Sequence, residues 1–315
     1  MYVFDFVLMA IDLPLFIFHC SLLVFVGIQI KRHHNLFSSP FYKLFFTVVV
    51  TDSFLFVTVY LDRRFTSYGW FTSWYLADTN GRLATIFFAI TIYLHNLQIY
   101  LHFLAVFNRF CFTCLKEKPW VNTLWSQNGL LWLLAICFMW PLSLLLTHLP
   151  HVSKYFPNVD GTISTIIVVP DFGEKYAALG SSVLCTILVV VAFYFNIRIA
   201  MVYRHWVKSG RVLKNNERND IRLLLHSFFI FACQTLMTAY QFTYIYIAKT
   251  QRFELIHFVR LHHIWILDLR ILGNSLFIFI VSSTLRRHYL MSIRSGTTIN
   301  NASYSRPPKP INSIL

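Results

Sequence analysis

Long apolar runs are the feature of this sequence that most constrains its fold. A helix needs about 20 mostly apolar residues to cross a bilayer. Seven segments meet that requirement: 7–30, 41–61, 83–107, 127–149, 176–203, 221–247 and 263–283. The pattern predicts an all-α membrane protein, a bundle of seven transmembrane helices over residues 1–290. The tail over 291–315 is rich in Ser, Thr, Asn and Pro and is expected to be disordered.

The composition agrees with a lipid environment. Apolar residues make up 57% of the chain and charged residues 13%, whereas soluble domains average about 45–50% and 25%. A net charge of +14 would favour a nucleic-acid partner in a soluble protein. Here the charges cluster in short segments between apolar runs, which excludes nucleic acid and predicts the lipid bilayer as a partner.

The distribution of Lys and Arg predicts the orientation. The first, third and fifth loops and the tail hold sixteen of these residues, and the alternate loops hold eight, including Arg63 and Arg64 after the second segment. Basic residues favour the cytoplasmic side. We therefore expect the N-terminus outside and the C-terminus in the cytoplasm, where the sequon at Asn301 is never glycosylated.

The third segment carries a polar stripe. Positions three or four apart share one face of a helix, and the polar residues at this spacing are Thr91, His95, Gln98, His102 and Arg109. Polar groups in lipid need partners, so this face is predicted to point into the bundle. The segment is predicted to end at residue 107, which places Arg109 directly after it, at the inner surface.

The sequence gives little support for a metal site or a catalytic site. His226 lies near the inner end of the sixth segment, whereas the histidines at 257, 262 and 263 lie near the outer surface, so no metal site is predicted. Cys111 and Cys114 are interpreted as reduced thiols or as palmitoylation sites. Without paired carboxylates, a nucleophile triad or a phosphate-binding loop, we predict no enzyme and no cofactor.

Three short motifs resemble those of nematode serpentine chemoreceptors, a class-gamma superfamily of G-protein-coupled receptors, with class V as the suspected branch. They are "NRF" (Asn108, Arg109, Phe110), "SSPFYKLFF" (38–46) and "YGWF" (68–71). The resemblance implies a heterotrimeric G protein and an extracellular small-molecule ligand as partners. It also implies the plasma membrane, or the cilium, of a sensory neuron.

The resemblance implies a role for Arg109 at the G-protein-facing end. In the resting state the arginine would pair with an acid of the sixth segment, Asp220 or Glu217, and it would be released on activation. Arg286 and Arg287 would border the partner surface. The alternative interpretation makes Arg109 a simple positive-inside anchor.

Four polar residues are interpreted by their expected depth in the membrane. Asp52, Gln98, His102 and Asn274 are predicted to lie in the middle of the bundle, where an acid is costly and is a functional candidate. Asn274 resembles the seventh-helix asparagine of the broader receptor class, although Ser275 replaces the expected proline and Ile278 the expected tyrosine.

A ligand pocket is predicted in the outer half of the bundle. Its candidate residues are Thr91, His95, Gln241, Tyr244 and Asp268. Interior packing is the alternative for each of them. Asp12 and Arg270 lie at similar depth on helices expected to be neighbours, and they are predicted to pair.

Two other functions stay open at this point. A seven-span ligand-gated channel or a transporter would have the inverted topology, with the N-terminus inside. A membrane enzyme is a third and weaker alternative, because no catalytic arrangement was found.

Overall fold

The computed structural model describes residues 2–34, 37–148, 152–157, 163–168, 171–209, 215–250 and 254–294. Eight principal helices lie in these ranges: α1 (Tyr2–Lys31), α2 (Pro40–Val59), α3 (Arg82–Cys114), α4 (Gln127–His148), α5 (Asp171–Lys208), α6 (Asn215–Thr250), α7 (Glu254–Val281) and α8 (Ser283–Arg294). Each predicted segment corresponds to one of the first seven helices.

Six of these helices are long and apolar enough to cross a membrane. The qualifying stretches within the described residues are Met9–Lys31, Pro40–Arg64, Arg82–Cys114, Ser182–Lys208, Arg222–Ile247 and Ile264–Val281. In α4 the apolar stretch is shorter, Gln127–Ser143, and the helix contains Pro141. By length and composition, six of the seven predicted spans qualify as membrane-spanning helices. The fourth predicted span corresponds to α4, which is a shorter apolar helix.

Six long helices form a closed ring in the order α1, α2, α3, α5, α6 and α7, with α7 packing back against α1. Helix α3 packs against α2, α4, α5 and α6, while α7 packs against α6, α1 and α2. Because α3 has neighbours on most sides, its polar stripe is surrounded by protein. Thr91, Gln98, His102 and Arg109 are all buried, and His95 is partly buried. The predicted inward orientation of the stripe is confirmed.

Helix α3 is longer than the sequence pattern indicated. It continues to Cys114, so Arg109 lies inside the helix and does not follow it. At the other end, Asp78 caps the helix, because its carboxylate accepts hydrogen bonds from the backbone N–H groups of Arg82 (3.1 Å), Leu83 (2.7 Å) and Ala84 (3.2 Å).

The end of α2 also differs from the prediction. A π-helical turn, Tyr60–Arg64, extends the helix beyond Leu61, and the N–H of Phe65 bonds the carbonyl of Tyr60. The wider turn changes which side chains face inward. Arg64 is therefore only 1% exposed, and its assignment to the outer loop was wrong. Short helices at Phe65–Ser67 and Thr72–Leu76 follow.

The fold also contains two β-strands, so it is not strictly all-α as predicted. Strand β1 (Val152–Pro157) pairs antiparallel with β2 (Ile163–Val168), with Val152 opposite Val168. Strand β1 packs on the N-terminal part of α3, where the Ser153 N–H donates to Thr85 Oγ1 at 2.9 Å. The hairpin packs on this end of α3 and was not predicted from the sequence.

Helix α8 lies against the opposite end. Leu285 is fully buried, and Tyr289 OH lies 2.7 Å from Ser21 Oγ of α1. The ring of Tyr289 packs edge-on against those of Phe18 and Phe25. The helix extends to Arg294, past the predicted start of the tail at 291. The rest of the tail lies outside the described residues.

Candidate functional site

Side chains from four helices form a hydrogen-bonded chain in the middle of the bundle. Asp52 of α2 is fully buried and accepts hydrogen bonds from Gln98 Nε2 of α3 and, at 3.2 Å, from Asn274 Nδ2 of α7. His226 Nε2 of α6 donates to Asn274 Oδ1 at 2.8 Å. The structure thus brings together three of the predicted mid-bundle residues and adds His226, considered from the sequence only as a metal ligand. Their part in activation stays a prediction.

His102, the fourth predicted mid-bundle residue, is buried but separate from this chain. Neither of its ring nitrogens has a hydrogen-bond partner among the described residues. A cavity of about 20 Å³ lies beside it, between α3, α5 and α6, with Gln234 as another polar residue in its wall. The volume suits a single water molecule.

A histidine of α1 extends the polar interior. His19 Nε2 lies 3.1 Å from both the carbonyl oxygen of Val49 and Ser53 Oγ, and its Nδ1 lies 2.8 Å from Ser275 Oγ. Ser275, at the position where the resemblance predicts proline, here joins α7 to α1. Sequence reasoning missed His19, although a lone histidine in an apolar run was the available signal.

A buried ionic cluster joins α1, the π-helical turn and α7. Arg64 Nη1 lies 2.8 Å from Asp12 Oδ2, and Nη2 donates to Asp268 Oδ2. Tyr60 OH donates to Asp12 at 3.0 Å, and its ring lies 4.6 Å from the guanidinium carbon of Arg64. The predicted pairing of Asp12 with Arg270 is therefore wrong, because Arg64 turns inward and takes both carboxylates.

Arg270 of α7 is a second buried arginine, and its surroundings differ from those of Arg64. Its side chain is 1% exposed, and none of its three guanidinium nitrogens has a hydrogen-bond partner among the described residues. It lies one helical turn from Asn274 on α7, close enough to interact electrostatically with Asp52, His95 and His102.

The predicted ligand-pocket residues are only partly brought together. Gln241 Nε2 of α6 donates to His95 Nε2 of α3 over a long 3.5 Å. Thr91 is buried, and its hydroxyl donates to the carbonyl of Phe87 in its own helix at 2.8 Å. Asp268 belongs to the ionic cluster with Arg64. The side chain of Tyr244 lies outside the described residues, and ligand binding by this set stays a prediction.

At the other end of α3, Arg109 contacts a residue of the "SSPFYKLFF" segment. Its guanidinium carbon lies 4.3 Å above the ring centroid of Phe41, a cation–π geometry. Phe110 stacks on Phe195 of α5 with ring centroids 4.3 Å apart. Asn108 is 2% exposed, and its Nδ2 has no partner within the described part of the chain. The predicted acid partners of Arg109, Asp220 and Glu217, have side chains outside the described residues.

The two arginines of α8 differ in their surroundings. Arg286 Nη1 donates to the carbonyl of Ile280 at 2.6 Å, and so satisfies the end of α7. Arg287 is exposed. Nearby, Arg222 of α6 donates to Ser283 Oγ at 2.6 Å, which joins α6 to the start of α8.

The hairpin end of the molecule holds a buried acid of its own. Tyr155 of β1 donates to Asp62 Oδ1 at 3.2 Å, and Tyr75 OH donates to the carbonyl of Leu61. Burial, with the nearby charge of Asp62, raises the pKa of Tyr155 and raises the pKa of Tyr75 to about 12. Both hydroxyls therefore stay protonated at neutral pH and remain donors.

A ring of apolar helices with a polar, hydrogen-bonded interior and a basic amphipathic helix at one end defines a multi-span membrane protein. The family model described as Serpentine type 7TM GPCR chemoreceptor Srv matches residues 6–295, and the chain belongs to this family. No curated protein matches the chain.

Proposed function

We propose that this protein is a chemosensory receptor of the plasma membrane, with the sensory cilium as its site of action. It converts binding of an extracellular small molecule into activation of a heterotrimeric G protein. Membership of a chemoreceptor family supports the proposal at the level of class. The observation that carries it to this chain is Arg109, a buried arginine in the last two turns of α3 that lies over an aromatic ring of α2.

The proposed topology has seven spans, with α4 among them, the N-terminus outside and the C-terminus in the cytoplasm. The basic residues around α8 and the start of α6 support the placement of this end in the cytoplasm. Arg287 is exposed there, and exposed Leu290 and Ile293 on the same helix suit contact with the lipid interface.

In the proposed mechanism, Arg109 has two arrangements. In the resting bundle it is held over Phe41 and near the cytoplasmic start of α6, where Asp220 or Glu217 supplies an opposite charge. In the active bundle α6 moves away and the arginine reaches the G protein. A ligand drives this change only as far as it binds the active arrangement more tightly than the resting one.

The proposed binding site lies towards the hairpin end of the bundle. His95 and Gln241 link α3 to α6, the helix whose movement is required. The chain through Gln98, Asp52, Asn274 and His226 then joins α3, α2, α7 and α6 towards the inner end. A change at the ligand would alter contacts that all four helices share.

Nucleotide exchange on a purified G-protein heterotrimer tests the proposal without a known ligand. Membranes containing the Asp220→Asn receptor should show higher basal exchange than wild type at equal surface expression. Glu217→Gln is the matched variant, since it tests the neighbouring acid. Equal, background-level exchange for all three receptors would contradict G-protein activation by this route.

A further inference from the structure

We propose that the ligand of this receptor is an organic carboxylate, and that Arg270 binds its acidic group. The inference rests on the proposed function as a chemosensory receptor and names the chemistry of the same interior site. It begins from a contrast between two arginines that are both about 1% exposed.

Arg64 and Arg270 are equally buried but differ in their partners. Arg64 bonds Asp12 and Asp268, so its charge is neutralised where it lies. All three guanidinium nitrogens of Arg270 lack a hydrogen-bond partner among the described residues. A buried arginine cannot lose its proton in a protein, and a buried charge without a partner is strongly destabilising. Such a residue is retained where something else supplies the acceptor.

The acids closest to Arg270 in the sequence and in space are already engaged. Asp52 is within electrostatic range, but its two carboxylate oxygens accept hydrogen bonds from Gln98 and Asn274. Asp268, two residues earlier on α7, accepts from Arg64. Within the described part of the chain, neither of these acids is hydrogen-bonded to Arg270, so its N–H donors are available to a molecule from outside.

The geometry of a guanidinium group selects the ligand class. Its five N–H donors form a planar fork that matches the two oxygens of a carboxylate, with two parallel hydrogen bonds. Gln241 adds a second polar group, because its Oε1 has no hydrogen-bond partner among the described residues while Nε2 contacts His95. A carboxylate that carries a hydroxyl or amide donor would satisfy both groups.

Binding of such a ligand would also require the bundle to move. The cavity beside His102, which interacts electrostatically with Arg270, holds only about 20 Å³. The wall of this cavity does not include Arg270, and an organic acid is much larger than the cavity, so the helices have to separate to admit it. The ligand would then favour the more open arrangement, as an activating ligand must.

Thermal unfolding of the full-length receptor in detergent provides the test. The probes are sodium butyrate and sodium benzoate, compared with butanol, benzyl alcohol and butylammonium chloride. Sodium chloride at equal sodium concentration shows whether any small anion suffices. We expect the carboxylates to raise the midpoint temperature of the wild type, and Arg270→Gln to weaken that effect about ten- to a hundredfold in concentration.

The variants separate a ligand-binding arginine from a structural one. Without any carboxylate, Arg270→Gln should raise the midpoint temperature, because it removes an unpaired buried charge. Arg64→Gln should lower it, since this substitution removes the cation that pairs with Asp12 and Asp268. Arg198→Gln, which removes an exposed arginine from α5, should leave both the midpoint and the carboxylate effect unchanged.

Three results would overturn the inference: a lower midpoint for Arg270→Gln, carboxylate protection no larger than that of the alcohols, or protection by chloride equal to that by carboxylate. The last would identify an inorganic anion as the occupant. None of these measurements uses a G protein, so failure of G-protein activation and failure of carboxylate binding are separate outcomes.

Discussion

Two contacts made by single side chains distinguish this receptor's interior: the ionic cluster around Arg64 and the stacking of Arg109 on Phe41. The cluster pairs Arg64 with two carboxylates inside the protein, so it holds α1 and α7 against the π-helical turn. The Arg109 contact is a weaker interaction of a kind that can be broken and remade. Residues of the first type set the stability of the bundle, and residues of the second type suit a switch.

Substitution of Arg64 should therefore be severe. Arg64→Leu leaves Asp12 and Asp268 together and uncompensated in the bundle, and breaking a buried ion pair costs about 3–5 kcal/mol. We expect loss of surface expression and a lower unfolding temperature. The triple variant that also carries Asp12→Asn and Asp268→Asn removes the unpaired charges and should recover part of the loss. No recovery would show that the cluster is held together by something other than charge.

Phe41 should control the resting position of Arg109. A cation–π contact contributes about 0.5–2 kcal/mol, so Phe41→Leu should raise basal nucleotide exchange several-fold. Phe41→Trp keeps an aromatic face and should stay near wild type. If leucine and tryptophan behave alike, the ring is only a packing residue.

At the scale of elements, the helices were predictable and their ends were not. Runs of about 20 apolar residues identify a spanning helix whatever its neighbours are. The end of α2 depends on a π-helical turn, in which one additional residue rotates Arg64 from the loop into the bundle. Asp12 was given the wrong partner for that reason, since helix rotation decides which charges meet. The hairpin at 152–168 could not be predicted from the sequence because its strands are short.

Most residues of the interior site could be predicted from the sequence, but the hydrogen bonds between them could not. The spacing of Gln98 and His102 showed a polar face, and Asp52 and Asn274 stood out in apolar surroundings. Their hydrogen-bonded order, and the inclusion of His226, needed the relative rotation and depth of four helices. His19 was missed because it is a single polar residue of α1 whose partner Ser275 is far away in the sequence.

The α6–α7 interface gives a prediction at this scale. A Cβ added to Gly273 would lie 2.9 Å from Phe229 Cζ of α6, whereas nothing lies within 4 Å of one added to Gly180 of α5. Gly273→Leu should separate the two helices and cost about 1–3 kcal/mol of stability. Gly180→Leu, the matched control, should be neutral or stabilising. Thermal unfolding of the two variants side by side makes the comparison, and equal behaviour would contradict the close approach of α6 to α7.

For the whole molecule, receptor function depends on which end faces the cytoplasm. The hairpin, the ionic cluster and the proposed ligand site lie towards one end of the ring. Arg109, α8 and most of the loop arginines and lysines lie towards the other. Receptor function requires the first end to be extracellular, and a channel or transporter of inverted topology would have it inside.

Membrane topology is therefore the first property of this protein to measure. An epitope placed at each terminus of the full-length chain would be stained in intact cells and then in permeabilised cells. We predict that the N-terminal epitope is stained without permeabilisation and that the C-terminal epitope is stained only after it. The opposite pattern would place Arg109 at the extracellular surface and contradict activation of a G protein by this protein.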